Sequence, residues 1–494
     1  MEPQSQEQAL QKANNRFALC AITGLMVMAF VLYARTVNYE FIEWDDPWYV
    51  VNNELIHTWS FSNLYGIATQ SVARNFAPLT IFSFLVDHTL WGLNPSGYHL
   101  SNVIIHAINS ALCFLLIWRV TGRRRVAFFT AAIFCLHPMQ VETVAWVSSR
   151  KGLLSASFML GSLWYWLKAN RNEADEMKGI GLFIAALLCK AIAVTIPGIV
   201  LVYDVIVLRK TWQQALTRQI IPLLLALWFI AATAAAQVTI VGGVRHHFGL
   251  PKWYLLMYDF YLLWQYAGML LWPTNQSVLY DPQLTGQWLP ITLSLVLWGG
   301  LCAYLLKYWR SHSYFTFALL VWLGLFVPVL NLFPLTTIMQ DRYLYLPVIP
   351  FAAVCYCAVE MLVSALIREF WINDQRRQLW ISGLACSLSL IYVGQLLQQT
   401  HAYLPVWQTD HQLWTHARQM TPDLPVVQIQ YADACHLRGD KQAAVEALKS
   451  AWHSHKIDQP DRERILERLQ EWNIPREQLE EASILSLNAV QKGC

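Results

Sequence analysis

Charge is what this sequence has least of. Asp, Glu, Lys and Arg make up 14% of its 494 residues, against about 25% in ordinary globular domains. The net charge of +3 is too small and too scattered for a protein that holds nucleic acid by its phosphates. Paired cysteine motifs are missing as well. None of the ten Cys forms a C-x-x-C pair, and eight of them (Cys20, Cys113, Cys135, Cys189, Cys302, Cys355, Cys357 and Cys386) lie inside hydrophobic runs. That argues against a disulfide framework or a zinc site and leaves them as small packing residues. No A-x-A-like cleavage site follows the first apolar run, Phe17 to Ala34, so it reads as an anchor rather than a cleaved signal peptide. The 56% apolar content excludes disorder.

What charge there is falls unevenly. Residues 397 to 494 hold 10 of the 35 Lys/Arg and 13 of the 32 Asp/Glu. The sequence therefore divides into a membrane domain, residues 1–397, and a water-soluble domain, residues 398–494. A span needs about 20 apolar residues, and runs of that kind begin at Phe17, His99, Val126, Leu153, Ile220, Leu289, Phe315, Leu346 and Leu379. Two stretches are ambiguous. Residues 179 to 208 are apolar except for Lys190 and read as one span or a re-entrant pair, whereas 254 to 272 carry Asp259 and several aromatic residues, as an interfacial helix would. With Lys12 and Arg16 inside by the positive-inside rule, the Arg119 to Arg125 cluster and the later Lys/Arg groups fall inside too. About eleven crossings result, which places the loop 35–98, the loop after Val147, the loop after Leu332 and the C-terminal domain on one outer face.

Three motifs on that face carry chemistry. Glu43-Trp44-Asp45-Asp46-Pro47-Trp48-Tyr49 sets two carboxylates among aromatic rings, suited to a general base and a sugar, or to a divalent cation; the same string also reads as an Asx-type turn in an aromatic belt. His137-Pro138 breaks a span near its outer end, with Glu142 and Trp146 one turn apart beyond it and Arg150-Lys151 at the water boundary. That pair is fit to hold a phosphate or to act as snorkelling anchors. Gln340-Asp341-Arg342-Tyr343 precedes the span from Leu346, where Arg342 would meet anionic headgroups or a lipid phosphate. Lys190 inside its apolar run calls for a counter-charge such as Glu142, or a wet cavity.

The last hundred residues are helical in pattern. A helix ending at Gly439-Asp440 and a second carrying Ala443, Ala444, Ala447, Leu448 and Ala451 have the layout of one tetratricopeptide unit, with weaker helices predicted at 408–420, 460–472 and 476–488. Such pairs bind peptides; a plain helical cap would look the same.

Taken in order, Asp45-Asp46 with Tyr49 and Asn52-Asn53, Gly92-Leu93-Asn94-Pro95-Ser96-Gly97-Tyr98-His99-Leu100 with Asn102 and His106, His137-Pro138 with Glu142 and Arg150-Lys151, Asp341-Arg342-Tyr343-Leu344-Tyr345-Leu346-Pro347 and the trailing helix pair resemble the GT-C glycosyltransferases of the transmembrane and tetratricopeptide repeat type. These are similar in plan to protein O-mannosyltransferases. The resemblance implies an all-α membrane bundle of the GT-C fold with a soluble tetratricopeptide-like domain, a polyprenyl-phosphate-linked sugar as donor, and inversion at the anomeric carbon. It implies Asp45 or Asp46 as catalytic base and Arg150, Lys151, Lys190 and Arg342 as partners of the leaving phosphate. Glu142, His137, Tyr49, Trp44 and His99 are further substrate-site candidates. Relatives commonly carry Arg where Ala77 precedes Pro78-Leu79, and Arg74 is the candidate substitute. Acidic residues usual near the equivalents of Gly152 and Ala191 are also absent.

The expected function is transfer of a sugar from a polyprenyl phosphate to a Ser or Thr hydroxyl of an acceptor protein. The alternatives are a lipid or lipid-linked glycan as acceptor, a transporter, or a scaffold whose tail recruits partners. A transporter would show paired internal repeats, and none is visible. The compartment expected is a bacterial inner membrane with the site in the periplasm, the endoplasmic reticulum being the alternative. No nucleic acid is expected as a partner.

Overall fold

The computed structural model describes residues 3–73, 75–241, 249–332, 337–366 and 374–479. Among these residues the regular secondary structure is helical, apart from one antiparallel bridge between Val72 and Asn75. It is a polytopic membrane protein with a C-terminal helical unit. Contacts divide it into Met1–Gln276 with Leu284–Leu404, and Ser277–Gln283 with Pro405–Cys494.

Among the described residues six helices are long and apolar enough to cross a membrane: Lys12–Asn38, Pro95–Thr121, Trp212–Ala231, Trp288–Tyr308, Val348–Leu366 and Gln378–Trp407. A seventh is obtained by joining Arg124–Leu136 to Pro138–Ala145 across a 56° bend. The other apolar runs among the eleven predicted crossings fold as shorter or interrupted pieces. Arg150–Trp166 has 17 residues and Ser313–Phe326 has 14. Residues 179 to 208 break at the lysine that interrupts them: Glu173–Leu187 ends, Lys190 is extended (φ −160°, ψ 140°), and the short turns Ala191–Thr195, Ile196–Val202 and Tyr203–Val207 follow. Residues 254 to 272 form one regular helix, Lys252–Leu271. Its Asp259 is buried and accepts hydrogen bonds from the Asn331 backbone (3.1 Å) and side-chain amide (2.6 Å).

Local chemistry sets the boundaries of the helices that frame the site. Asn94 caps Pro95–Thr121 through the Ser96 N–H, Pro95 supplies a preset φ at the first position, and Gly122 ends the helix at φ 68°. Pro138 denies the helix before it a backbone donor. The chain then advances through Pro138–Gln140, Val141–Ala145 and Val147–Ser149 before Arg150–Trp166 begins. These three short pieces position Glu142, Ser148 and Arg150.

The second unit is the predicted helix pair with neighbours. Pro425–Leu437 and Lys441–Trp452 meet at Gly439 (φ 84°), and Ala432, Ala444, Ala447, Leu448 and Ala451 form their buried seam. Asp410–Met420 and Gln459–Glu471 flank them. Most of the helix predicted at 476–488 lies outside the described residues.

Candidate active site

The site begins at the turn after the first span. Asp46 is fully buried and precedes the five-residue turn Pro47–Val51. Its Oδ2 accepts the Ile42 N–H at 2.9 Å, and its Oδ1 accepts the Ser148 N–H at 2.9 Å and the Ser148 hydroxyl. It therefore ties the first loop to the Val147–Ser149 turn. Burial pushes its carboxyl up to about 6; the Ser148 and Ile42 donors pull the other way and the neighbouring charge of Asp45 adds to the rise. Asp45 has a different environment. Its side chain is 21% exposed, and Lys151 Nζ stands 3.7 Å from Oδ2. Lys151 also donates to the Tyr49 hydroxyl at 3.3 Å and sits 4.8 Å from the centre of the Tyr49 ring.

Arg150 is not at the water boundary. It is 1% exposed, and all three guanidinium nitrogens are taken. Nη1 faces Asp87 at 2.5 Å, Nε donates to Asn102 at 2.8 Å and Nη2 to the Tyr98 carbonyl at 2.8 Å, with the Phe84 ring 4.5 Å beneath. A phosphate would have to strip it of partners it already has. Asn102 extends the same clamp, donating to the carbonyls of Val144 (3.3 Å) and Trp146 (3.2 Å), while Ser101 donates to Asp87 (2.8 Å).

Glu142 is buried and held by Arg342 twice, from the backbone N–H (3.0 Å) and from Nη1 (2.6 Å). The counter-charge expected at Lys190 is thus taken by Arg342. The guanidinium lies 5.3 Å from the Trp146 ring centre with 19% of its side chain exposed, and Asp45 acts on it as well. Lys190 completes the group. A Cβ added to Gly152 would lie 3.7 Å from its Nζ, and the charges that act on it are Arg342, Lys151 and Glu142. Its ammonium has no hydrogen-bond or ion-pair partner among the described residues. Three basic side chains thus converge beside two carboxylates.

The two predicted histidines are buried. His137 uses both ring nitrogens to fix the bend, Nε2 with the Leu270 carbonyl (3.0 Å) and Nδ1 with the Met139 N–H (3.2 Å). His99 is buried, its Nε2 3.3 Å from the Glu40 carbonyl. Both join separate segments of the chain. Trp44 is half-buried at the start of the turn, and Arg74 lies outside the described residues. Asp87 and Ser148 were not anticipated. Asp87 had a signal, a lone acid in the apolar string Leu79 to Trp91, whereas nothing in the sequence marks Ser148.

A divalent cation finds no ready cradle here. The Asp46 oxygens are occupied by three donors, Lys151 rather than a second ligand faces Asp45, and no group of three or more His, Cys, Asp or Glu side chains gathers among the described residues.

No protein-family model matches the sequence. Against curated proteins, 186 residues are 31% identical to a protein O-mannosyl-transferase of Drosophila melanogaster, covering 36% of this chain and 22% of the relative. A protein O-mannosyl-transferase of Caenorhabditis elegans is 22% identical over 454 residues, 88% of this chain and 62% of the relative. The likeness is to protein O-mannosyl-transferases. The chain spans between about a fifth and three fifths of the length of these relatives. A crystal structure of ArnT from Cupriavidus metallidurans bound to undecaprenyl phosphate superimposes with a TM-score of 0.36 at 15% identity, covering 87% of this chain and 75% of that one.

Proposed function

We propose that the chain is a membrane glycosyltransferase that moves a sugar from a polyprenyl phosphate to a Ser or Thr hydroxyl of a protein. The observation that carries this reading is the convergence of Lys151, Lys190 and Arg342 beside Asp45. A cation with no fixed partner is a cost in a protein of this composition, and an anionic ligand offsets it. The names of the relatives point the same way.

The chemistry follows from the arrangement. Asp45 takes the proton of the acceptor hydroxyl, whose oxygen attacks the anomeric carbon from the side opposite the phosphate and inverts it. As that bond forms, the bond from carbon to phosphate oxygen breaks and its electron pair stays on the phosphate. Lys190, Lys151 and Arg342 stabilise the charge that develops there. Asp46 holds the turn on which Asp45 sits, and Glu142 aims Arg342. The loop carrying Asp45 and the donor phosphate lie on the non-cytoplasmic face in this reading.

The test uses the two adjacent carboxylates separately. Asp45→Asn in membranes supplied with a labelled polyprenyl-phosphate sugar should lower transfer by about 10²- to 10⁴-fold at unchanged protein yield. Asp46→Asn should instead lower the yield of folded protein. Normal transfer by both variants would remove the base from this reading, and label found in extracted lipids instead of protein would change the acceptor.

A further inference from the structure

The turn that carries the two carboxylates has a second side. Pro47–Val51 buries Tyr49 beside Lys151 and turns its neighbour Trp48 outward, 58% exposed. Trp48, Asn52 and Glu54 form one wall of an open cleft of about 610 Å³, and Gln70, Ser71 and Val72 form part of the other.

The second wall leads into a tight turn closed by a single antiparallel bridge. Gln70 is extended (φ −96°, ψ 152°), and Val72 pairs with Asn75 through both backbone hydrogen bonds, 3.0 and 2.9 Å. In an antiparallel pair the residue next to a hydrogen-bonded position turns its N–H and C=O away from the partner. That residue is Ser71, and its backbone groups take no partner among the described residues. The side chains of Asn52 and Gln70, both exposed, likewise make no hydrogen bond there. The cleft thus offers one open edge, two amides that each donate and accept, one broad aromatic face, and Glu54 as the only charge among these six residues.

We infer that this cleft holds the acceptor as an extended, uncharged or basic polypeptide segment, its backbone added to the edge at Ser71 and a side chain laid on Trp48. The inference rests on the function proposed above and names where its acceptor binds. A glycan would match the ring and the amides, but the paired N–H and C=O of an edge match a second peptide backbone.

The test uses the full chain in nanodiscs and an uncharged decapeptide with central Ser-Thr and a terminal benzophenone. Photo-crosslinks should map to residues 48–55 and 70–73, and Trp48→Ala combined with Gln70→Ala should weaken peptide binding by about tenfold or more. Binding of the polyprenyl-phosphate sugar should change less than twofold. Unchanged peptide binding in the double variant would overturn the inference. So would crosslinks displaced by the donor lipid, which would make the cleft a donor site, or capture of a benzophenone-labelled oligosaccharide in place of the peptide. If the crosslinks appear as expected but the wild-type chain transfers no sugar, docking stands and the proposed reaction fails. Transfer with no crosslink in the cleft gives the reverse.

Discussion

Arg150 and Lys151 are neighbours in sequence and opposites in structure. Successive helical residues point about 100° apart, so the first turns inward to Asp87, Asn102 and Tyr98 and the second toward Asp45 and Tyr49. One region, with Asp46, Asp87, Asn102 and Arg150, is closed, each charge matched by partners of fixed geometry. The other, with Asp45, Lys151, Lys190 and Arg342, is open, and its charges exceed its internal partners. The closed region holds the three short pieces between Pro138 and Ser149 in place, and the open region gains something when a ligand arrives. Charge alone does not distinguish them; partner count does.

If that division is right, damage to the closed region should appear as lost folding and damage to the open one as lost function. Asp87→Ala leaves Arg150 charged, buried and unmatched, and should cost about 3–5 kcal/mol, read as lost yield of monodisperse protein in detergent; recovery by Asp87→Glu would identify the ion pair as the cause. Lys190→Ala removes a cation with no internal partner. Its melting temperature should hold or rise, while transfer falls by about 10²- to 10³-fold, and a variant that unfolded instead would place Lys190 in the closed set.

Asp46 gives a pH signature. Its carboxyl titrates at about 6 in the fold against 3.8 ordinarily, so the protonated form is the one the fold favours. Its contribution to stability is present at low pH and is lost as the pH rises from 3.8 to about 6, on the order of 3 kcal/mol. Asp46→Asn does not titrate, so the stability advantage of wild type over the variant should shrink across that window in thermal melts; a constant gap would show that the donors of Ser148 and Ile42 outweigh burial. The smallest effect is expected at Gly152. An added Cβ meets only ordinary contacts at 3.6 and 3.7 Å, so Gly152→Ala should be silent. Gly152→Asp should pair with Lys190 and weaken donor binding about tenfold in a titration with labelled lipid, equivalent to 1.4 kcal/mol.

Much of the open region was legible because its residues break local rules. Lys190 interrupts an apolar run, Arg342 precedes one, and Asp45 follows one. Their convergence is tertiary, however, and composition carries no trace of it. Arg150 and Lys151 were indistinguishable for the same reason, since only the identity of the packing partner decides which of two adjacent cations is buried. Asp87 was passed over because its apolar helix, Pro78–Trp91, sits within a stretch that reads as one long loop. The helical class and the pair around Gly439 were plain from periodicity. The way each apolar run is divided was not, because an unbroken run and one that bends or breaks look alike in a sequence, as at His137-Pro138 and Lys190.

The surplus of basic side chains over carboxylates among Lys151, Lys190, Arg342, Asp45 and Glu142 bears on what happens after the sugar has left. On the proposed reaction the donor is a phosphodiester with one negative charge, and the lipid left behind is a monoester with about 1.5 to 2 at neutral pH. The same cations therefore hold the spent carrier more tightly than the loaded one. Free polyprenyl phosphate should therefore compete with the donor at concentrations below those at which the donor saturates.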